Sequence, residues 1–401
     1  MAEKYLEFEQ DGVKYNLYDM PKGFVIKGDL DLSNKGLTEL PDLSEVVIEG
    51  SFNCSGNHLT TLKGAPQEVG GDFTCSNNQL ATLEGAPKEV GSGFYCHNNY
   101  LTTLEGAPRE VGGEFYCSNN QLTTLEGAPK EVGGNFTCSK NKLTTLKGAP
   151  REVGGDFSCG VNELTTLKGA PQEVGGYFDC GNNQLTTLKG APQKVGSGFC
   201  CHNNHLTTLE GAPKEVGGGF DCRDNQLTTL EGAPQKIGED FLCTDNKLIS
   251  LEGAPEKVGG HFWCGANELT TLKGAPREVG GGFFCFRNQL TTLEGAPQKV
   301  GGEFWCDGNR LKSLLHLPIM QAERAINCDD TLEQKYRISH DEFTAGKLNE
   351  SSVYQNEVKI YKLRLQKSQE RAEREDKAVA DIKARFAAWQ ARQTQKDGPE
   401  K

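Results

Sequence analysis

Fifteen cysteines are the residues of this 401-residue chain whose chemistry has to be decided first. Thirteen of them stand 21 residues apart, from Cys54 to Cys306, inside the pattern Phe-x-Cys-x-x-Asn-x-Leu. Its phenylalanines run from Phe52 to Phe304 and its asparagines from Asn57 to Asn309 without a slip. A thiolate can bind metal, attack an electrophile or pair with another thiol, but each use needs convergent ligands or an activating neighbour. A file of thiols on strands stacked about 4.8 Å apart converges on nothing. The spacing therefore predicts a ladder of reduced thiols, each a small buried hydrophobe, suited to a reducing compartment. Cys200, beside Cys201 and one place out of the ladder, is expected at the surface. No Ser/His/Asp arrangement, phosphate-binding glycine loop or metal-ligand cluster is legible in the sequence. The repeated Val-Gly-Gly lacks the Lys-Ser/Thr that a phosphate loop requires. The expectation is a non-enzyme with no cofactor, and with no catalytic, cofactor-binding or metal-binding residue to name.

What must position these residues is a repeat. A fixed period of this size marks a solenoid, whose units bury their apolar faces only by stacking on one another. Around Phe115-Tyr116-Cys117 inward apolar and outward residues alternate, which reads as a short half-buried strand. Gly112 and Gly113 permit the corner before it, and Asn120 offers buried donors and an acceptor to the backbone of adjoining turns. Leu122 and Leu125 turn inward, Gly127-Ala128-Pro129 breaks any helix on the outer side, and Val132 returns the chain to the core.

The pattern resembles the L-x-L-x-x-N-x-L segment of the leucine-rich repeat family, with Phe and Cys in the first two leucine slots. A divergent first copy is readable at Leu30-Asp31-Leu32-Ser33-Asn34-Lys35-Gly36-Leu37, giving about 14 repeats. The resemblance implies a leucine-rich repeat solenoid with a parallel β-sheet on the concave face and few helices on the convex face. Fourteen strands would make a sheet roughly 65 Å long. The wording Leu-Thr-Thr-Leu-Glu-Gly-Ala-Pro also resembles repeats of uncharacterised tailed-bacteriophage proteins, which implies a phage origin and no activity. Bacterial effector ubiquitin ligases join short leucine-rich repeats to a catalytic Cys-x-Asp, and Cys328-Asp329-Asp330 has that spelling. No base is evident near it, and residues 315–401 are too few for that ligase domain, so the ligase stands as a minor alternative.

Formal net charge is −12. Residues 351–401 carry twelve Lys/Arg against eight Asp/Glu, so residues 1–350 are strongly acidic. An acidic solenoid is a poor match for phosphate backbones, which argues against nucleic acid as a partner. No apolar run is long enough to span a membrane and the N-terminus has no signal-like apolar core, so the expected location is a bacterial host cytoplasm, or association with a virion. Four segments are expected. Residues 1–24 form an N-terminal hairpin cap, with Leu6/Phe8 and Val13/Tyr15/Leu17 flanking the turn pair Asp11-Gly12. Residues 25–314 form the solenoid, 315–350 a C-terminal cap or linker with a short helix near Met320–Ile326, and 351–396 a long charged helix.

Comparing the repeats with one another locates the variable surface. The outer segment hardly changes, and its mixed charge reads as a solvated face. Variation concentrates at the residue after each repeat phenylalanine, which should project from the concave sheet. There Leu242, Trp263, Phe284 and Trp305 form a file of large apolar side chains, widened by Phe286 and His261. Tyr95, His97 and Tyr116 form a smaller group nearer the N-terminus. Exposed aromatic clusters of this kind favour protein binding. Cover by the tail, or simple stacking along the strands, would also account for them. The expected function is a non-catalytic protein-protein interaction module with a host or viral protein partner, and the alternative is a structural component of a phage particle. In the tail, Val358, Leu365, Ala372, Val379 and Phe386 recur every seven residues, with Tyr361, Ile382 and Trp389 on the neighbouring seam. This helix could assemble as a coiled coil with another copy or a partner, lie along the acidic solenoid, or stand as a solvated arm.

Overall fold

The computed structural model describes residues 6–320, 326–336 and 347–363, with single helical positions as far as 377. The 21-residue units coil into a leucine-rich repeat solenoid with two parallel sheets of fifteen strands each. One sheet is built from the Phe-x pairs, in register from Leu30–Asp31 through Phe304–Trp305 to Ile326–Asn327. The other is built from pairs such as Glu131–Val132 and runs from Val25–Ile26 to Ile319–Met320. The sequence foresaw the first sheet; in the second, the residue expected only to return the chain to the core is itself in a strand. Both sheets continue one strand beyond Leu314.

In-register parallel pairing places identical residues over one another, so the interior is a set of ladders. The repeat phenylalanines are fully buried from Phe52 onward, and neighbouring rings stack with centroids 5.2–5.6 Å apart. Each buried ring is worth roughly 2 kcal/mol or more of transfer free energy. All fifteen cysteines are free and buried. Burial raises the pKa values of the thirteen repeat cysteines, Cys54 to about 12 and Cys75 well above its ordinary value, so the ladder stays protonated. The asparagine ladder satisfies the corners. Asn120 donates to the carbonyls of Cys96 at 3.1 Å and Cys117 at 3.0 Å, and its Oδ1 accepts from the Leu101 amide at 3.0 Å. In the divergent first repeat Lys35 replaces the asparagine, and Asn57 of the following turn accepts from the Lys35 and Leu37 amides instead.

Two corners need particular residues. Before each ladder asparagine the chain enters the left-handed region, with φ between 49° and 57° at Asn77, Asn98, Asp224 and Arg287 among others. Asn, Asp and Gly fit there, whereas Val161, at φ 56°, is a β-branched residue in a conformation that crowds its Cβ. At the Val-Gly-Gly corner successive turns approach so closely that a Cβ on Gly133 would overlap the carbonyl oxygen of Gly112.

The ends are closed differently. Strands Glu7–Gln10 and Val13–Asn16 form the expected N-terminal hairpin, with Asp11 (φ 52°) and Gly12 (φ 75°) in the turn. Phe8 stacks on Tyr15 at 5.3 Å and both rings meet Phe24. At the other end, the short helix expected near Met320–Ile326 lies mostly outside the described residues; its two bounding residues, Met320 and Ile326, lie in the last strands of the two sheets. An α-helix follows at Asp330–Tyr336. A second helix begins at 352, after Ser351 caps the first by bonding the Tyr336 carbonyl at 2.6 Å. It docks on the solenoid end through Glu357, which accepts from Tyr336 Oη at 2.9 Å and Ser313 Oγ at 2.8 Å and pairs with Lys335. Among the described residues no helix is long and apolar enough to cross a membrane.

Candidate functional site

Every residue that follows a repeat phenylalanine points out of the core, because strand side chains alternate between faces. The Phe-sheet face therefore carries the variable row. Leu242, Trp263, Phe284 and Trp305 pair directly across successive strands. Trp263 stacks on Phe284 with centroids 3.7 Å apart, and Trp305 meets the other side of Phe284 edge-on at 5.2 Å. The row is thus a packed unit, not a line of separate rings. Phe284 is only 3% exposed, contrary to the expectation that it presents its own face. Trp263, Trp305, Leu242 and Phe286 remain half-buried, and His261 is exposed.

Small neighbours make this packing possible. A Cβ on Gly265 would collide with the Phe286 ring, and one on Gly282 with the Phe284 ring. Phe286 folds back edge-on towards Trp263 at 6.5 Å. His261 is locked in place: its Nδ1 accepts from the Gly282 amide at 2.8 Å, and its own amide donates to Asp240 at 2.6 Å. Its ring sits 5.7 Å from Phe284.

The second group is also assembled, with a more polar character. Tyr95 and Tyr116 meet edge-on at 5.3 Å, and the Tyr95 hydroxyl donates to Glu114 at 3.0 Å. Burial, followed by the Glu114 contact, raises the Tyr95 pKa. His97 is half-buried, desolvation holds its imidazole below the usual range, and its Nδ1 has no hydrogen-bond partner.

Between the two aromatic groups lies a cluster that the sequence reading missed. Cys200 is 5% exposed, not at the surface as expected, because Tyr177, His202 and Asp221 surround it. Cys200 Sγ lies 2.7 Å from His202 Nδ1 and 4.0 Å from Asp221 Oδ2. Asp221 is held by Arg223 through two contacts, Nε to Oδ1 at 3.0 Å and Nη2 to Oδ2 at 2.8 Å. The signal was available: Asp179, Cys200 and Asp221 are consecutive in the row after the phenylalanines. His202 and Arg223 are consecutive in the row after the ladder cysteines. Writing both rows side by side brings the cluster together.

The Cys328-Asp329-Asp330 spelling has a structural cause. Ile326-Asn327-Cys328 is one more turn of the Phe-x-Cys pattern, paired with Phe304 and Trp305. Cys328 ends the ladder at 4% exposure, and Asp329 accepts from the Gly308 amide at 2.8 Å. A buried ladder thiol is a poor nucleophile.

On the expected assembly seam, Val358 is half-buried and Tyr361 packs edge-on against His316 at 4.6 Å, so Tyr361 contacts this chain's own solenoid end. Leu365, Val379, Ile382, Phe386 and Trp389 lie outside the described residues, as does Ala372. The second sheet adds a feature of its own. A groove of about 1970 Å³ runs along its N-terminal half, edged by the aligned Glu68, Glu89, Glu110, Glu131, Glu152 and Glu173. Beyond Glu173 the same row mixes Lys with Glu, and Lys194 pairs with Glu173 at 2.6 Å.

No protein-family description matches the chain, and no curated protein sequence does so. Solved structures do. YopM, a leucine-rich effector protein from Yersinia pestis, aligns over 75% of this chain and 88% of its own length, at 19% identity and a TM-score of 0.50. YopM from Yersinia enterocolitica WA-314 aligns over 75% and 78% at 21% identity and 0.39. The functional domain of InlJ from Listeria monocytogenes, which includes a cysteine ladder, aligns over 79% and 71% at 17% identity and 0.48. At these identities the likeness is one of fold: the chain is similar to leucine-rich repeat solenoids.

Proposed function

We propose that this protein is a non-catalytic interaction module that binds a protein partner on the Phe-sheet face, through the Leu242–Trp263–Phe284–Trp305 row. The observation that carries the reading is the joint arrangement of Trp263 and Trp305 around a buried Phe284. The buried ring fixes both indoles before any partner arrives, so docking costs little side-chain entropy. Interface hot spots are commonly such rigid aromatic anchors. Solenoids generally use one extended face for binding, and the structural neighbours include a leucine-rich effector protein. The phage-like wording of the repeats supports a phage-encoded protein acting on a host or viral protein in the bacterial cytoplasm.

The test is a Trp263→Ser, Trp305→Ser double variant. Ser158 occupies the same row, so the fold should tolerate serine. Pull-downs from host lysate with wild-type and variant, compared at equal circular dichroism, should lose the wild-type partner by tenfold or more. Equal recovery refutes the site.

A second reading is supported by the C-terminal helix, which docks on the solenoid end yet leaves Ile360 and Leu363 exposed at 43% and 50%. That face could assemble copies into a structural component of a phage particle. Light scattering on the full chain with Ile360→Lys and Leu363→Lys separates the readings: a fall in mass favours assembly, and an unchanged monomer mass removes it.

A further inference from the structure

The geometry points to a three-ligand site for a thiophilic divalent metal ion, with Zn²⁺ the best match, formed by Cys200 Sγ, His202 Nδ1 and Asp221 Oδ2. The ligand atoms lie within 4.8 Å of one another. A catalytic triad would be a relay, with one imidazole nitrogen on the nucleophile and the other on the carboxylate. Here the same nitrogen, Nδ1, faces both Cys200 at 2.7 Å and Asp221 at 3.9 Å. Three donors therefore converge on one point, which is the arrangement a metal requires.

The dimensions fit after two small side-chain motions. Tetrahedral Zn²⁺ with S, N and O ligands at ordinary bond lengths separates the ligand atoms by about 3.3–3.6 Å. The short edge, from Cys200 to His202, must open, and the 3.9 Å edge from His202 to Asp221 must close. Swinging Nδ1 away from sulfur and towards the carboxylate does both, and a shift of about 0.4 Å between the Cys200 and Asp221 side chains closes their 4.0 Å edge. Gly181 leaves room for that ring, since a Cβ there would sit 2.6 Å from His202 Cε1 and 2.7 Å from Nδ1.

Outer contacts complete the case. Metal-binding histidines usually present their second nitrogen to a fixed partner. His202 Nε2 lies 2.9 Å from Asn182 Nδ2, while Asn182 Oδ1 accepts from Asn203 at 2.7 Å; with Nδ1 on the metal Nε2 keeps its proton, so the Asn182 amide must turn to offer Oδ1 to it. Arg223 grips Asp221 from the far side and orients Oδ2 towards the cluster. Charge balances as well. With Cys200 as thiolate, the carboxylates of Asp179 and Asp221 bring the site to three negative charges, against Arg223 and a divalent ion. Without metal, burial keeps the Cys200 thiol protonated, its pKa raised to about 12. Binding would therefore release one proton, from Cys200 Sγ. A soft ligand, an imidazole and a carboxylate together favour Zn²⁺ over Mg²⁺ or Ca²⁺.

The experiment uses the full-length protein, stripped with chelator under reducing conditions and titrated with Co²⁺ and then Zn²⁺. Wild-type should show a sulfur-to-cobalt charge-transfer band that saturates at one equivalent and is abolished by one equivalent of Zn²⁺. Cys200→Ser and His202→Ser should abolish the band. Serine stands at the matching positions Ser158 and Ser139, so both variants should fold, as circular dichroism would verify. Asn182→Ala should retain the band with an affinity lowered by about 10–100-fold, the usual effect of losing an outer partner. Ala266 already occupies that left-handed corner, so the substitution is tolerated there. No band in wild-type, or a band that survives Cys200→Ser, overturns the proposal.

Discussion

Asn183→Ala removes one side chain from the middle of the asparagine ladder, and its effect can be worked out from the hydrogen bonds alone. Asn183 Nδ2 donates to the carbonyls of Cys159 and Cys180, both at 3.1 Å, and approaches that of Gly181 at 3.2 Å. Its Oδ1 accepts from the Leu164 amide at 3.0 Å. Alanine leaves one buried donor, the Leu164 amide, without a partner, while the carbonyls of Cys159, Cys180 and Gly181 each lose one donor and keep another, from Asn162, Asn204 and the Val161 amide. Each orphaned group costs about 1–3 kcal/mol. Asn183 is 7% exposed, so water can reach part of the gap, and the lower half of that range applies. With the weakened carbonyl bonds added, the expected loss is about 2–3 kcal/mol, a substantial part of the stability of an ordinary domain. Urea denaturation followed by tryptophan fluorescence should show a lower midpoint at unchanged slope. Native-state hydrogen exchange gives a local check. The Leu164 amide should lose protection, while the Leu269 amide, bonded to Asn288 at 3.0 Å further along the coil, should keep it. A loss below about 1 kcal/mol, or unchanged exchange at Leu164, would refute the view that this ladder satisfies the corners.

Other substitutions follow from the same geometry. Val161→Asn relieves a β-branched residue at φ 56° and should stabilise the protein by about 1 kcal/mol in the same urea assay. Gly133→Ala should destabilise sharply or prevent folding, because the added Cβ meets the Gly112 carbonyl oxygen; thermal melting reads it. Glu131→Lys breaks a run of like charges between Glu110 and Glu152 and should raise the melting temperature, with a gain that shrinks as salt is added. The buried thiols set a pH limit. Cys54 is raised to about 12 and Cys75 well above the ordinary value, so the folded chain keeps protons that the unfolded chain releases above about pH 8.5. Their contribution is therefore intact below that pH and declines as pH rises, by up to about 1.4 kcal/mol per pH unit for each thiol. Urea midpoints measured under reducing conditions at about pH 7.5 and about pH 9.5 should differ strongly. Equal midpoints would mean that the ladder is accessible to base.

How much was legible in advance differs from element to element. Phe115, Cys117, Asn120 and Leu122 declared their inward direction because the same types recur at one period, and in-register pairing obliges every copy to share an environment. The Asp11-Gly12 turn was readable because few residues accept its backbone angles. The cap was less legible: Ile319–Met320 and Ile326–Asn327 join the two sheets without the repeat's wording, since an end strand needs only one neighbour to pair with. Cys200 was misplaced because its burial comes from His202, Tyr177 and Asp221, none of which its repeat position specifies.

The sequence by itself determined the coil, the core-facing positions and the row of residues turned outward, because a 21-residue period forces identical residues to stack one strand apart. Tertiary structure decided what the outward row does. Which side chains lean across to the next turn depends on where a neighbouring glycine leaves space, as Gly265 does for Phe286 and Gly181 for His202. Contacts of that kind buried Phe284 between two indoles and drew Cys200, His202 and Asp221 to one point.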